Sequence, residues 1–313
     1  MRLEHLCLFY RKKTYPMKPS SYLILFSFLA LTFSACGDDQ DEKAAYDGRE
    51  YLINNANHNP TTRAEYARLE FPRIKGGDNN LVVVHSTNNF GVNYSLEWDV
   101  QKKSQRWSCY QMYSSNSLGG ASRYYGNPQY PADPDLPSYA GWTPEDDPYY
   151  STGYDHGHIV PSADRLCSSE ANYQTFYLTN MQPMWNAFNA GLWSKMESQV
   201  RTWNRDDFRD TLYVCKGGTI DNSDQVIGTT SKGAIVPKFF YMAVLCKNSK
   251  GYKALAFWVE HLNEDRSSDN LSNYIISIDQ LEERTGIDFF CNLPDPLEVP
   301  VEENVVKSAW GFK

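Results

Sequence analysis

Residues 154–164 read Tyr-Asp-His-Gly-His-Ile-Val-Pro-Ser-Ala-Asp, and Asn180 and Asn189 follow downstream. His158 comes directly after a glycine, ahead of a predicted strand and helix that carry the two asparagines. A neutral imidazole can take a proton from water near pH 7. Magnesium keeps most of its waters, so a single asparagine carbonyl can anchor it. The pattern therefore indicates a base beside a metal, which is equipment for cutting phosphodiesters.

The rest of the chain predicts a sheet with helices. Residues 92–98 alternate apolar and polar side chains, as a half-buried strand does. A helix is predicted from Ala187 to about Asp206, and another over residues 278–284 that stops at Gly286. Strands are predicted at residues 81–86, 92–98, 107–113, 175–179, 211–215, 239–246 and 254–259. Residues 116–152, rich in Gly, Pro, Tyr and Asp, predict a long surface loop.

Residues 154–164 resemble the Asp-Arg-Gly-His signature of the DNA/RNA non-specific endonucleases, a ββα-metal family. The similarity continues through residues 176–183, residues 188–193 and Glu197, and residues 281–290 resemble the closing helix and turn of the family. This resemblance implies an α+β fold with a mainly antiparallel central sheet, flanking helices and a ββα-metal active-site motif.

The resemblance also implies roles for single residues. His158 would be the general base, Asn189 the ligand of Mg²⁺ (or Mn²⁺), and Asn180 a residue that positions the active site. Glu197 lies eight residues after Asn189, about two helical turns on, and would act through metal-bound water. The implied reaction is Mg-dependent, sequence-non-specific hydrolysis of DNA, RNA or both, leaving 5′-phosphate ends. No protein partner is predicted.

Two positions depart from the family pattern. His156 stands where the family has an arginine, and a second family arginine aligns with Gln111. Loss of a fixed charge from a desolvated site can lower a rate by ~10²-fold or more. A protonated His156 would replace part of that charge and favour lower pH, so His156 is counted among the catalytic candidates. Arg165 and Lys195 are candidate replacements for the missing arginines.

Two alternative functions remain open on the residues alone. His156 and His158 lie two apart on a strand and point the same way, so they could ligate zinc in a hydrolase. Alternatively, a catalytically weakened nuclease fold on the cell surface could bind nucleic acid or glycan. Its stacking residues would be the tyrosines of the long loop: Tyr124, Tyr125, Tyr130, Tyr139, Tyr149 and Tyr150. Retention of His158, Asn189 and Glu197 favours catalysis.

The N-terminus predicts export. A basic flank at Lys18 and a short apolar run predict a signal peptide over residues 1–35, in which Met17 is a candidate start. The run is too short for a membrane span. Ser-Ala-Cys at its end resembles a bacterial lipobox, so Cys36 is the predicted lipidation site. The lipid would anchor the protein in the outer membrane, and the acidic residues that follow resemble signals for the cell surface.

These boundaries divide the chain into four parts. A lipidated acidic tether and linker covers residues 36–75, the endonuclease domain residues 76–300, and a C-terminal tail residues 301–313. The formal net charge of −8 argues against nucleic-acid binding through a broad basic face, but allows transient phosphate contact at a metal site. Beyond Cys36 five cysteines remain, enough for one or two disulfides in an exported protein. They lack a Cys-x-x-Cys pair, which argues against structural zinc.

Overall fold

The computed structural model describes residues 55–313 and contains eleven strands there. They are β1 (Asn80–Thr87), β2 (Gly91–Asp99), β3 (Ser104–Met112), β4 (Asp155–His158), β5 (Met181–Met184), β6 (Thr211–Gly218), β7 (Val226–Thr229), β8 (Ile235–Pro237), β9 (Phe239–Asn248), β10 (Gly251–Glu260) and β11 (Ile275–Ile276). Seven form an antiparallel sheet in the order β1-β2-β3-β6-β9-β10-β11, while β4-β5 and β7-β8 form separate pairs. The expected α+β fold is confirmed. The predicted signal peptide and Cys36 lie outside the described residues.

Helices cover both faces of the large sheet. They are α1 (Ser169–Gln174), α2 (Asn186–Phe188), α3 (Ser194–Trp203), α4 (Ile278–Thr285) and α5 (Asp295–Glu303). Alternate residues of β6 enter two different cores: Leu212 packs with α3, and Tyr213 packs with α4. The sheet therefore separates α3 from α4. No helix within the described residues is long and apolar enough to cross a membrane.

Because both faces of the sheet are covered, strand β2 is buried on both of its sides. The alternating sequence predicted a half-buried strand, yet Asn93, Ser95 and Glu97 are as buried as their apolar neighbours. The strand itself is confirmed, but the prediction that it is half-buried was wrong, because the polar face is covered as well. Glu97 accepts a hydrogen bond from Trp107 Nε1 at 3.0 Å, so its burial is compensated.

The strand predicted at residues 175–179 was also wrong. Helix α1 ends in turns, in which the Thr175 and Phe176 amides donate to carbonyls three residues earlier, and a 3₁₀ turn follows at Leu178–Asn180. Pairing begins only at Met181, the first residue of β5. Tertiary contacts here override the strand propensity of the β-branched and aromatic residues.

The predicted long helix is confirmed but interrupted. Between α2 and α3 the segment Asn189–Trp193 is π-helical, and Gly191 has non-helical angles of φ −95° and ψ −105°. The predicted apolar series Leu192, Met196, Val200 and Trp203 is buried against the sheet. The π segment begins at Asn189, and such insertions often occur at functional sites.

The C-terminal helices follow local signals. Ser277 and Gln280 form a capping box at the start of α4, and Gly286 ends it with φ 67°, as the sequence predicted. Helix α5 was not predicted. Beyond it, Trp310 returns to the core, where its carbonyl accepts a hydrogen bond from Trp203 Nε1 at 3.0 Å.

The five described cysteines are all free thiols, so the expected disulfides do not form among residues 55–313. Cys109 and Cys215 lie opposite each other on β3 and β6, both fully buried. Burial raises the pKa of each thiol well above its ordinary value. These cysteines therefore act as small apolar core residues.

Candidate active site

The β4-β5 pair carries the predicted base at its end. Gly157 pairs with Gln182 and His158 with Met181. A Cβ atom at Gly157 would lie 2.4 Å from Met184 Cγ and 2.7 Å from the Gln182 carbonyl oxygen. Only glycine fits this close approach, so a larger residue would displace His158.

His158 is half-buried and has a defined tautomer. Its ring packs edge-on against Phe176, with 5.0 Å between ring centroids. The His156 carbonyl accepts a hydrogen bond from the ring, and Nε2 has no hydrogen-bond partner. The bond must therefore come from Nδ1, which leaves the Nε2 lone pair free. Burial, with Arg123 nearby, lowers the pKa of His158 to about 3, so the ring is neutral near pH 7.

Asn189 is oriented by a carboxylate. Asp155 Oδ2 accepts hydrogen bonds from Asn189 Nδ2 at 2.9 Å and from Asn186 Nδ2 at 3.0 Å. The amide nitrogen of Asn189 is therefore occupied, and its oxygen is left to bind a cation. A hard cation that keeps most of its waters fits one amide oxygen held in this way.

Two adjoining depressions meet at this point. The first depression has a volume of about 360 Å³ and the second about 270 Å³. Both are lined by Arg123, His158 and Asn189. The guanidinium carbon of Arg123 lies 4.8 Å from the centre of the Phe176 ring, the ring that also packs against His158. An exposed cation therefore stands beside the base, where a phosphate would bind.

Sequence reasoning missed Arg123. The long loop that carries it has no periodic pattern, so its path over the surface could not be predicted. One signal was present: Arg123 is the only Lys or Arg between residues 116 and 152, a stretch that contains four aspartates and a glutamate. In the structure the loop is fixed near this point, because the Tyr124 amide donates to Asn172 Oδ1 at 2.8 Å.

A layer of paired charges lies beneath the second depression. Glu197 Oε1 is 3.0 Å from Lys216 Nζ, and Arg201 Nη1 is 2.9 Å from Asp164 Oδ1. Burial raises the pKa of Glu197, although Lys216 opposes that shift. Glu197 and Arg201 line the same depression as Asn189. The structure thus brings Glu197 to the cleft despite the irregular helix between it and Asn189.

His156 also lines the cleft, but it is held by neighbours. Its Nε2 lies 2.8 Å from Asp147 Oδ2, and its ring stacks on Tyr130 with 3.7 Å between centroids. Burial alone would raise the pKa of Asp147, yet hydrogen bonds from His156 and backbone amides lower it below its ordinary value. Asp147 therefore stays ionised beside the His156 ring.

The other predicted residues lie outside the cleft. Asn180 is fully buried, donates to the Val160 and Thr175 carbonyls and accepts from the Val160 amide, so it fixes the turn after β4. The Gln111 side chain donates to Glu70 at 2.7 Å. Arg165 is buried and donates to the Gln111 carbonyl, while Lys195 donates to the carbonyls of Ser267 and Asp269. Neither cation replaces an arginine in the cleft.

Three of the six loop tyrosines pack locally. Tyr124 contacts Tyr173 and Phe176 edge-on, Tyr130 stacks on His156, and Tyr149 is buried with its hydroxyl donating to the Met181 carbonyl. The other three, Tyr125, Tyr139 and Tyr150, are exposed, but of these only Tyr150 lines the cleft. The loop therefore does not present a row of exposed rings at the cleft, as the binding-protein alternative requires.

The zinc alternative also loses its ligands. Among residues 55–313, three-residue clusters suited to a metal occur at two places, and neither includes His156 or His158. One cluster consists of His85, Asp133 and Asp135. His85 Nε2 lies 3.1 Å from Asp133 Oδ2, and His85 Nδ1 lies 3.0 Å from Asp135 Oδ2. Burial alone would lower the pKa of His85, but the two aspartates raise it to about 9. With both nitrogens protonated, His85 has no lone pair for a metal.

Sequence comparison finds relatives of this chain among the nucleases. A sequence model of the DNA/RNA non-specific endonuclease family matches residues 78–296. A protein called "Nuclease" from Nostoc sp. is 31% identical over 221 residues, which cover 68% of this chain and 76% of that protein. The mitochondrial nuclease EXOG of Xenopus laevis is 28% identical over 213 residues, which cover 64% of this chain and 58% of that protein.

The fold is also shared with a solved structure. A chain in a crystal structure of the EndoG/EndoGI complex superposes with a TM-score of 0.58 at 18% identity. The match covers 71% of this chain and 91% of that chain. At this identity the likeness concerns the fold alone, and it agrees with the large antiparallel sheet and flanking helices.

Proposed function

Because this chain belongs to the DNA/RNA non-specific endonuclease family, we propose that it hydrolyses DNA, RNA or both with a bound Mg²⁺ and leaves 5′-phosphate ends. The observation that carries the proposal is the shared cleft of His158, Asn189 and Arg123. It contains an unprotonated base with a free lone pair, an oriented amide oxygen and an exposed guanidinium. The predicted zinc hydrolase and pure binding protein lack comparable support.

The residues divide the chemistry among them. His158 Nε2 takes the proton of the attacking water, because its lone pair is free and Nδ1 is held by the His156 carbonyl. Arg123 binds the phosphate and stabilises the charge that builds up on its oxygens. Asn189 would hold the cation, with Glu197 nearby to bind its waters. The cation, when bound, supplies positive charge for the departing 3′-oxygen.

The His156–Asp147 pair supports the same proposal. An arginine at position 156 would bring a permanent charge, whereas His156 carries a charge only when protonated. Asp147 Oδ2 lies 2.8 Å from His156 Nε2 and fixes the orientation of the ring. We therefore assign His156 to the cleft wall next to the phosphate, with Arg123 as the principal fixed charge.

We expect plasmid DNA and RNA to be cut by the wild-type protein with Mg²⁺ and to stay intact with EDTA. Asn189→Ala should need a much higher Mg²⁺ concentration for half-maximal rate, a shift of about 10-fold or more, because its amide oxygen is the proposed ligand. Asn186→Ala is the matched control, since Asn186 donates to the same Asp155 oxygen but is not a proposed ligand. If the wild type leaves both substrates intact between pH 5 and 9 with several divalent metals, the nuclease proposal is wrong.

We also propose that the protein is exported and anchored in the outer membrane through a lipid on Cys36. The apolar run that ends in Ser-Ala-Cys supports this proposal. Cys36→Ser should move the protein from the membrane fraction to the soluble fraction of expressing cells and abolish labelling by a fatty-acid analogue. Equal labelling of Cys36→Ser and wild type would disprove the anchor.

A further inference from the structure

Three carboxylates meet on the face of the large sheet that lies opposite α3. They come from Asp279 and Glu282 on α4 and from Glu302 on α5. One oxygen of each lies within 4.8 Å of the other two. Helix α4 packs in the core on this side of the sheet, whereas α3 and the cleft residues lie on the other side. The cluster is thus separate from the active site.

Glu302 is the informative member. Only 7% of the surface of Glu302 is exposed, and its Oε1 has no hydrogen-bond partner. Within the described residues neither Asp279 nor Glu302 forms a salt bridge. Burial, together with Glu282 and other acids, raises the pKa of Glu302 to about 10. A buried, unpaired carboxylate oxygen next to two further carboxylates is costly unless a cation or a proton neutralises it.

The donor set favours calcium over magnesium. Calcium takes about six to eight oxygen ligands in a flexible geometry and is commonly held by several carboxylates. Magnesium demands near-ideal octahedral geometry and keeps several waters, so it is usually held by only one or two carboxylates. Three carboxylates from two helices, with oxygens within 4.8 Å of one another, therefore suit one Ca²⁺.

We propose that Asp279, Glu282 and Glu302 form a structural Ca²⁺ site that joins α4 to α5. The ion neutralises the buried Glu302 carboxylate, and it fastens the C-terminal helix to the helix that packs on the sheet. The site lies apart from the catalytic cleft and does not depend on the proposed nuclease activity.

The test uses the full chain carrying Asn189→Ala, which removes the proposed catalytic cation site. After EDTA treatment and dialysis, CaCl₂ at about 100-fold excess over its Kd should raise Tm by about 5 °C or more. Isothermal titration should give one Ca²⁺ per chain, with Mg²⁺ binding more weakly. Glu302→Gln and Asp279→Asn, each added to this background, should abolish the Tm rise. Glu283→Gln should retain it, because Glu283 is exposed on the same helix and outside the cluster.

In EDTA, Glu302→Gln should be at least as stable as its parent, because a neutral amide replaces a carboxyl whose charge is disfavoured by burial. A reversal of the stability order between EDTA and Ca²⁺ would thus identify the ion. The proposal is overturned if Ca²⁺ gives no heat and no Tm change. It is equally overturned if Glu302→Gln and Asp279→Asn respond to Ca²⁺ as the parent does, or if Mg²⁺ binds more tightly than Ca²⁺.

Discussion

His158→Ala should lower kcat by about 10²- to 10⁴-fold, because the variant has no group to take the proton of the attacking water. The Mg²⁺ concentration for half-maximal rate should change little, since His158 is not a proposed ligand. Added imidazole should restore part of the rate by entering the space left by the ring. His58→Ala is the control, since His58 lies near the N-terminal end of the described chain, outside the cleft. Activity of His158→Ala equal to wild type would show that the base lies elsewhere.

The pH profile tests the same residue. The pKa of His158 in the free protein is lowered to about 3, so the base remains unprotonated throughout pH 5–9. Protonation of His158 should therefore not cause a fall in kcat/KM on the acid side until well below pH 5. A bound phosphate brings negative charge and raises the pKa of the imidazole in the complex. The acid limb of kcat should thus appear at higher pH than that of kcat/KM.

Arg123→Ala should lower kcat/KM by about 10²- to 10³-fold, because it removes the exposed guanidinium beside the base. Arg123→Lys should recover only part of the rate, since an ammonium cannot contact two phosphate oxygens in the same planar geometry. The measurement is steady-state cleavage of a short fluorescent oligonucleotide, with Tm recorded for each variant to confirm folding.

Two matched control variants show whether the loss of rate is specific to Arg123. Arg205→Ala also removes a guanidinium that lies over an aromatic ring, that of Phe208 at 5.4 Å, but away from the cleft. Gln111→Ala tests the position at which the family pattern has its second arginine. Both variants should retain kcat/KM within about 3-fold of wild type, because neither side chain lines the cleft. A loss at Gln111 as large as at Arg123 would contradict the assignment.

The departures from the family motif have a structural meaning. The sequence alone made His156 and Gln111 reasons to expect a weakened site. In the structure a positively charged side chain does lie beside the base, but it is Arg123 of the long loop. The Gln111 side chain instead pairs with Glu70, which keeps it away from the phosphate. The charge of the cleft thus depends on the path of a loop, which local sequence does not encode.

The wrong strand at residues 175–179 and the wrong burial of β2 share a cause. Residues 175–179 have strand propensity, yet the Thr175 and Phe176 amides donate hydrogen bonds within the turns after α1, and β5 begins only at Met181. Strand β2 alternates correctly, yet both of its faces are buried because a second layer covers the sheet. Local pattern reports which residues are apolar. It does not report how many layers cover a strand or where the turns after a helix end.

The sequence by itself determined the family, most strands of the central sheet, the start and end of α4, and the placement of Asn189 near the start of a helix. These features depend on local periodicity, capping residues and the order of the motifs, all of which can be recognised along the chain. Tertiary structure alone decided the tautomer of His158, the orientation of the Asn189 amide by Asp155, and the arrival of Arg123 at the cleft. The last two depend on contacts between residues far apart in sequence, and the tautomer depends on how the folded strand turns the ring toward the His156 carbonyl. Only the folded backbone fixes such distances.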